Sequence, residues 1–333
     1  MSKVLTIAIP SYNVENYINQ TLDSMVTIDN LNLLEIIIVN DGSKDNTINI
    51  ATQYERTYPN SIKVIDKENG GHGSTINAGL QVATGKYFKI VDGDDWVDSK
   101  GLENLINFLK DIDVDLVLNP CIKVYESGEK EEQEPFKPGA PYNTVLPYQD
   151  IFKYLGKLQE MHMTTYKTNL LKENNIKITE RIFYVDNEYI LYPLLYVNTA
   201  CLLQEELYQY RLGRVGQSVS IESLVKNRFM LETVIKNSLE FYYSQSKIQN
   251  LSPIRSKIYL DKVERLTYVR TRISLLYEAP QIAQSELQNF YKEIKYNYPI
   301  FYNHLSSKLI KLLIYTKFRY IGIIKNIYRV LKK

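Results

Sequence analysis

Cysteine is scarce: Cys121 and Cys201 are the only two in 333 residues, far apart, which excludes a disulfide framework and a zinc-ligand cluster. No internal repeat divides the chain, and the net charge of +2 offers no overall basic field, so no nucleic-acid partner is expected. The opening MSKVLTIAIPSY enters a strand-type run with no basic n-region or apolar h-region before it, so a cytoplasmic location is expected. Tryptophan occurs once, at Trp96. Acid is missing from one long stretch: residues 301–333 hold Lys308, Lys311, Lys317, Arg319, Lys325, Arg329, Lys332 and Lys333 with no Asp or Glu. This stretch carries +8 and leaves −6 for the rest.

What is present is an apolar ramp, Tyr87-Phe88-Lys89-Ile90-Val91, running into Asp92-Gly93-Asp94-Asp95-Trp96. Clustered carboxylates at a strand end repel one another unless a hard cation compensates them, and oxygen ligands there suit Mg2+ or Mn2+. The plainer alternative is an acidic turn in which Asp95 or Asp98 caps a helix beginning near Ser99. Three other apolar runs end in polar loops: Val4–Ile9 in Pro10-Ser11-Tyr12-Asn13, Leu34–Val39 in Asn40-Asp41-Gly42-Ser43, and Ile62–Ile65 in Asn69-Gly70-Gly71-His72-Gly73-Ser74. Helical patterns follow, from about Glu15 to Met25, from Asp45-Asn46-Thr47 onward, and from Thr75 to Ala83. Alternating strands and helices predict an α/β doubly wound sheet whose ligands bind at the strand carboxyl ends.

The four blocks IAIPSYNVENYI, IIIVNDGSKDNT, ENGGHGSTINAGL and ATGKYFKIVDGDDWV, in this order, resemble the family 2 glycosyltransferases. The nearest look-alikes are bacterial enzymes of capsule, exopolysaccharide or teichoic-acid synthesis. The resemblance is strong over residues 1–115, weak over 116–220 and leaves the last third outside. It implies a GT-A fold with a mixed sheet, an inverting mechanism, a UDP-sugar donor, a glycan or lipid-linked acceptor, and Mn2+ or Mg2+. The domain division it implies is a catalytic domain over 1–220, with a nucleotide-sugar half at 1–115 and an acceptor half at 116–220, then a helical C-terminal region over 221–333.

By that resemblance Asp41 reads the uracil edge together with backbone around Pro10, Tyr12 and Asn13, while Tyr12 packs on the ring; a carboxylate serving only its own turn is the alternative. Glu15 fits either the nucleotide pocket or the first turn of its own helix. Asn69, Gly70 and Gly71 let the backbone approach the nucleotide, with the following helix N-terminus facing a phosphate. Relatives often carry Arg where this chain has Ile76, so that contact must come from elsewhere; His72 is one source, though a surface histidine without that role fits equally. Asp94 is implied as the metal ligand, with Asp92 either joining it or on the ribose or sugar side, and Asp95 sharing either task. Trp96 is expected to pack beside the site as core, with a direct sugar contact as the alternative.

An inverting transfer needs one carboxylate to take the acceptor hydroxyl's proton, and the family supplies it from a Glu-Asp pair opening a helix. Here Val185 replaces the first member and Asp186 stands in the second place as the general base, with Glu188 as fallback. Capping of the following helix is the structural alternative for Asp186. Leu207–Arg211 reads as a strand leading to a basic loop in which Arg211 and Arg214 suit a diphosphate clamp. His162 falls where relatives line the acceptor cleft, or is a buried structural histidine.

Glu126–Glu134 and the prolines after it read as an exposed loop. In the tail, apolar residues spaced three and four apart between cations suit an anionic membrane interface, too broken by charge to span; a core-packing helix pair is the alternative. The loss at Val185 keeps open a non-catalytic nucleotide-sugar-binding partner of another transferase. A nucleotidylyltransferase is a weaker rival, because its glycine-rich loop with Arg and Lys after the first strand is absent.

Overall fold

The computed structural model describes residues 2–132, 136–155, 160–213, 221–248, 250–276 and 279–324. The chain divides into two compact units, Met1–Val215 and Gly216–Lys333, five residues before the division read from the sequence.

The first unit alternates strands and helices from its start: β1 (Leu5–Ser11), α1 (Ile18–Val26), β2 (Leu34–Asn40), α2 (Thr47–Thr57), β3 (Ile62–Asp66), α3 (His72–Val82) and β4 (Tyr87–Ile90). All seven residues of β1 and of β2 are buried, as expected of strands covered on both faces. Short β5 (Trp96–Val97) precedes α4 (Ser99–Asp111), β6 (Leu116–Leu118), β7 (Cys121–Tyr125) and β8 (Lys130–Glu132). Then come β9 (Leu146–Pro147), α5 (Tyr148–Phe152), β10 (Thr164–Lys167), α6 (Thr168–Glu173), α7 (Asp186–Leu191), β11 (Thr199–Leu202) and β12 (Tyr208–Leu212).

Eight strands form one sheet in the order β3-β2-β1-β4-β10-β6-β11-β9. β3, β2, β1 and β4 run parallel, and β10 is antiparallel to both neighbours, so the sheet is mixed as expected. The parallel register sets Ser11 beside Asn40 and Asn40 beside Asp66, which brings the polar loops after β1, β2 and β3 to one level. A second sheet, β5-β12-β7-β8, pairs Gln209 with Trp96 and so lays β12 alongside the exit of the aspartate turn.

Local differences from the sequence reading have identifiable causes. α1 begins at Ile18, not Glu15, because Asn13 takes φ +52° and a turn intervenes. α3 begins three residues early, at His72, because Gly71 at φ +79° ends the loop. The acidic segment after Tyr125 is not all loop: β7 and β8 pair antiparallel around Gly128 at φ +84°, and charged side chains tolerated on this hairpin disguised the strand. Asp98 caps α4, accepting from the Gly101 amide at 2.7 Å. Residues 133–135 lie outside the described residues.

The second unit is helical: α8 (Ile221–Lys226), α9 (Arg228–Ile248), α10 (Pro253–Ser274), α11 (Pro280–Asn297), α12 (Pro299–His304) and α13 (Lys308–Tyr315). Proline opens α10, α11 and α12, where its missing amide costs no hydrogen bond. Fully buried Arg270 is held by Glu232 at 2.7 Å and Glu286 at 3.2 Å, and bonds Ser274, so the buried charge is paired. Among the described residues no helix is long and apolar enough to cross a membrane.

Candidate active site

The loops after β1 and β2 are laced together. The Asn13 amide donates to Ser43 Oγ at 3.0 Å, and the Lys44 amide donates to Asn13 Oδ1 at 2.8 Å. Glu15 accepts from the Asn46 amide at 2.8 Å, so its carboxylate supports the turn before α2 rather than its own helix. Asp41 is 3% exposed and grips the glycine loop instead of its own turn: Oδ1 accepts from Lys67 Nζ at 2.7 Å and Gly70 N at 2.9 Å, and Oδ2 from Gly71 N at 2.8 Å. Asn69 Nδ2 donates to the Asp41 carbonyl at 2.9 Å. Oδ2 accepts a single bond here, and a carboxylate oxygen has capacity for a second. Tyr12 is half exposed at the rim.

The aspartate turn follows β4. A Cβ at Gly93 would lie 2.9 Å from both the Pro10 carbonyl and Ser11 Oγ, so only glycine lets the chain reverse against the end of β1. Asp95 is buried; Oδ1 accepts from the Arg211 amide at 2.8 Å and Oδ2 from the Tyr208 hydroxyl at 2.7 Å. Burial, then the Asp94 and Asp92 charges, push its carboxyl up to about 8. Arg211 lies over the rings of Trp96 at 4.7 Å and Tyr17 at 4.9 Å, with Nε donating to the Asp94 carbonyl at 2.8 Å. As placed, Arg211 braces the aspartate turn; Arg214 is outside the described residues.

Two of the three histidines converge on Asp92. His72 Nε2 lies 2.8 Å from Oδ1 and His162 Nε2 lies 3.8 Å from Oδ2. Burial alone would raise the Asp92 carboxyl, but His72 and then His162 outweigh it and hold it well below the carboxylate range. The His162 ring sits against Tyr208 at 4.5 Å and Tyr210 at 4.4 Å; burial opposes its charge, but Asp92 and Glu160 raise it to about 10. Its carbonyl accepts from Lys89 Nζ at 2.7 Å, and burial lowers that ammonium to about 7.

Asp186 opens α7 without capping it: Val185 holds the cap position, with no side-chain cap bond. Burial raises the Asp186 carboxyl; His72 and His162 draw it partly back, and Asp92 adds to the rise. Asp186 is therefore within electrostatic reach of the histidine–aspartate cluster. Glu188, by contrast, is fully buried and accepts from the Thr179 amide at 2.7 Å and the Thr179 hydroxyl at 2.9 Å. Its carboxylate is engaged in holding the segment before α7.

That segment docks on α3. Asn77 exchanges side-chain bonds with the Ile178 carbonyl at 2.8 Å and amide at 2.9 Å, and the Arg181 amide donates to the Gly70 carbonyl at 2.7 Å. Ile76, where relatives carry arginine, is buried, while exposed Arg181, at φ +65°, puts an arginine beside the glycine loop from another part of the chain. A Cβ at Gly73 would lie 2.0 Å from the Thr179 carbonyl oxygen, a backbone atom that cannot swing aside. Gly73→Ala is therefore expected to destabilise the first unit by roughly 1–3 kcal/mol despite alanine's better helix propensity. Denaturant unfolding checks this; unchanged stability would refute the docking.

Ligand atoms of Asp92, Asp95 and His162 lie within 4.8 Å of one another. Two carboxylates and an imidazole suit Mn2+, and the crowding that raises Asp95 is what a divalent cation relieves, so the donor set fits a metal. The sequence reading named all three but missed Lys67, Lys89, Tyr208 and Arg181. A lysine inside the Tyr87–Val91 apolar run was the one available signal for Lys89.

The family model described as "Glycosyl transferase family 2" matches residues 6–173. Poly(ribitol-phosphate) beta-N-acetylglucosaminyltransferase TarS of Staphylococcus aureus is 27% identical over 217 residues, covering 65% of this chain and 36% of TarS. The uncharacterized glycosyltransferase EpsJ of Bacillus subtilis is 31% identical over 218 residues, covering 63% of this chain and 62% of EpsJ. The chain thus spans about a third of TarS and under two thirds of EpsJ. The crystal structure of S. aureus TarS 1-349 in complex with UDP matches with a TM-score of 0.68 at 23% identity, over 98% of this chain and 91% of that one. That likeness in fold extends past the family match and takes in the last third, which the sequence reading left outside.

Proposed function

This chain belongs to glycosyl transferase family 2, and on that premise we propose that it moves a sugar from a UDP-sugar to a hydroxyl of a cell-surface glycan or lipid-linked saccharide, with inversion. The observation that carries the reading is the His72–Asp92–His162 cluster beside the glycine loop, with Asp186, at the start of α7, close enough for these charges to act on its carboxyl. That proximity supports a base beside the cluster that would face the donor phosphates. TarS bears a name for transfer of N-acetylglucosamine to poly(ribitol-phosphate) and its matching structure holds UDP, which supports the donor and acceptor class.

In this reading Asp186 takes the acceptor hydroxyl's proton as its oxygen bonds to the anomeric carbon, and the bond to the diphosphate breaks with its electron pair leaving on UDP. Asp41, which grips the glycine loop, would read the uracil, and Arg181, beside that loop, would meet the diphosphate. Mn2+ or Mg2+, held by Asp94 and Asp92 with Asp95 and His162 nearby, would neutralise charge developing on the departing nucleotide. His162, expected to line the acceptor cleft, is read instead as a support for Asp92.

Incubating the protein with UDP-, GDP- and dTDP-sugars and ribitol-phosphate or saccharide acceptors tests the proposal. Release of UDP dependent on acceptor, with a product of inverted anomeric configuration, is expected. Release from GDP-sugars alone, or a retained configuration, would overturn it.

A further inference from the structure

The second unit ends in a surface that its own packing does not explain. Ile310, Leu313, Phe318 and Ile321 are all buried, so the apolar stripe of α13 and the turn after it is already used. Yet Leu312 is 50% exposed, Tyr315 86%, Tyr320 53% and Ile323 59%. Lys308, Leu312 and Tyr315 fall at i, i+4 and i+7, on one face of the helix. A helix that merely showed solvent a basic face would carry polar residues there.

Some cations elsewhere in the unit are paired with carboxylates. Arg228 pairs with Glu286 at 2.7 Å, Lys236 with Glu293 at 2.7 Å, and Lys257 with Asp261 at 2.5 Å. Lys308, Lys311, Lys317 and Arg319 form no ion pair with a described residue. Residues 301–333 contain no acid that could pair with them, and the sequence adds Lys325, Arg329, Lys332 and Lys333, which lie outside the described residues.

We propose that residues 308–323 are a peripheral docking surface for an anionic lipid bilayer. Exposed tyrosines suit the headgroup level, leucine and isoleucine reach the acyl boundary, and lysine and arginine meet anionic headgroups. Charge selects this occupant over a second copy of the chain, since two tails of +8 repel. The aliphatic residues select it over nucleic acid, whose phosphates give Leu312 and Ile323 nothing to bury against.

The test is co-sedimentation of the full chain with vesicles of phosphatidylcholine, with and without phosphatidylglycerol, at ~0.1 M salt, where the screening length is about 10 Å. Binding to the anionic vesicles at least about tenfold tighter than to the neutral ones is expected. Reversing Lys308, Lys311, Lys317 and Arg319 to Glu should weaken it on the order of a hundredfold or more, at about fivefold per residue. Arginine at the three lysines should preserve it, and Leu312→Ser with Tyr315→Ser should weaken it about tenfold with an unchanged melting temperature. Equal partition to both vesicles, no binding, or equal affinity for duplex DNA would overturn the proposal. So would dimerisation without lipid that the Leu312→Ser, Tyr315→Ser variant abolishes.

Discussion

Asp186→Asn is expected to lower the rate of sugar transfer on the order of a thousandfold, with donor affinity held within about twofold. Asparagine keeps the shape of the side chain and its acceptor oxygen but cannot take a proton. The substitution also limits the structural change: Asp186 makes no cap bond, and asparagine keeps a side-chain oxygen to accept from Asn187 Nδ2, which lies 3.2 Å from Asp186 Oδ1. Because burial raises the Asp186 carboxyl, kcat/KM should fall on the acid side with an apparent pKa above the ordinary carboxylate range. His72 is the largest charge opposing that rise, so His72→Ala should move the acid limb to higher pH, both by its own loss and by freeing the Asp92 charge. Steady-state rates against pH, with folding monitored by circular dichroism, check both. An Asp186→Asn variant with the parent rate would remove Asp186 as base, and Glu188, tied to Thr179, would not easily take its place.

The parts of the site carried by short-range pattern were legible. Apolar runs ending in Asp41, Gly70 and Asp92 announce strands that deliver polar loops to one sheet edge, and the parallel register confirms that edge. What was hidden is what those residues touch. Asp41 looks like part of an Asp-Gly-Ser turn, but its partners come from residues 67–71, across the β2–β3 pairing. Arg211 reads as a member of a basic loop, yet antiparallel pairing of β12 with β5 lays its guanidinium between Tyr17 and Trp96. Arg181 has no motif at all; its place beside Gly70 and Gly71 follows from the docking of the 178–181 segment on α3, a contact spanning about a hundred residues that no local window can see.

Asp94→Ala is expected to abolish the Mn2+-dependent stabilisation that a UDP-sugar gives the native protein. At a hundred times its dissociation constant a ligand adds about 2.7 kcal/mol, which for a unit of this size is roughly 5–10 °C of melting temperature. The three aspartates should not respond alike. Both Asp95 oxygens already accept from Tyr208 and Arg211, and Asp92 is held by His72, so these two support the turn itself. The Asp94 carbonyl accepts from Arg211 Nε at 2.8 Å, and the residue is partly exposed. Asp95→Asn should therefore lower the melting temperature even without ligand, while Asp94→Ala should lose the ligand-dependent shift. If Asp94→Ala kept the full Mn2+-dependent shift, the cation would instead be held by Asp92, Asp95 and His162, whose ligand atoms already lie within 4.8 Å of one another. In that case His162→Ala would remove the shift, and the imidazole would favour Mn2+ over Mg2+.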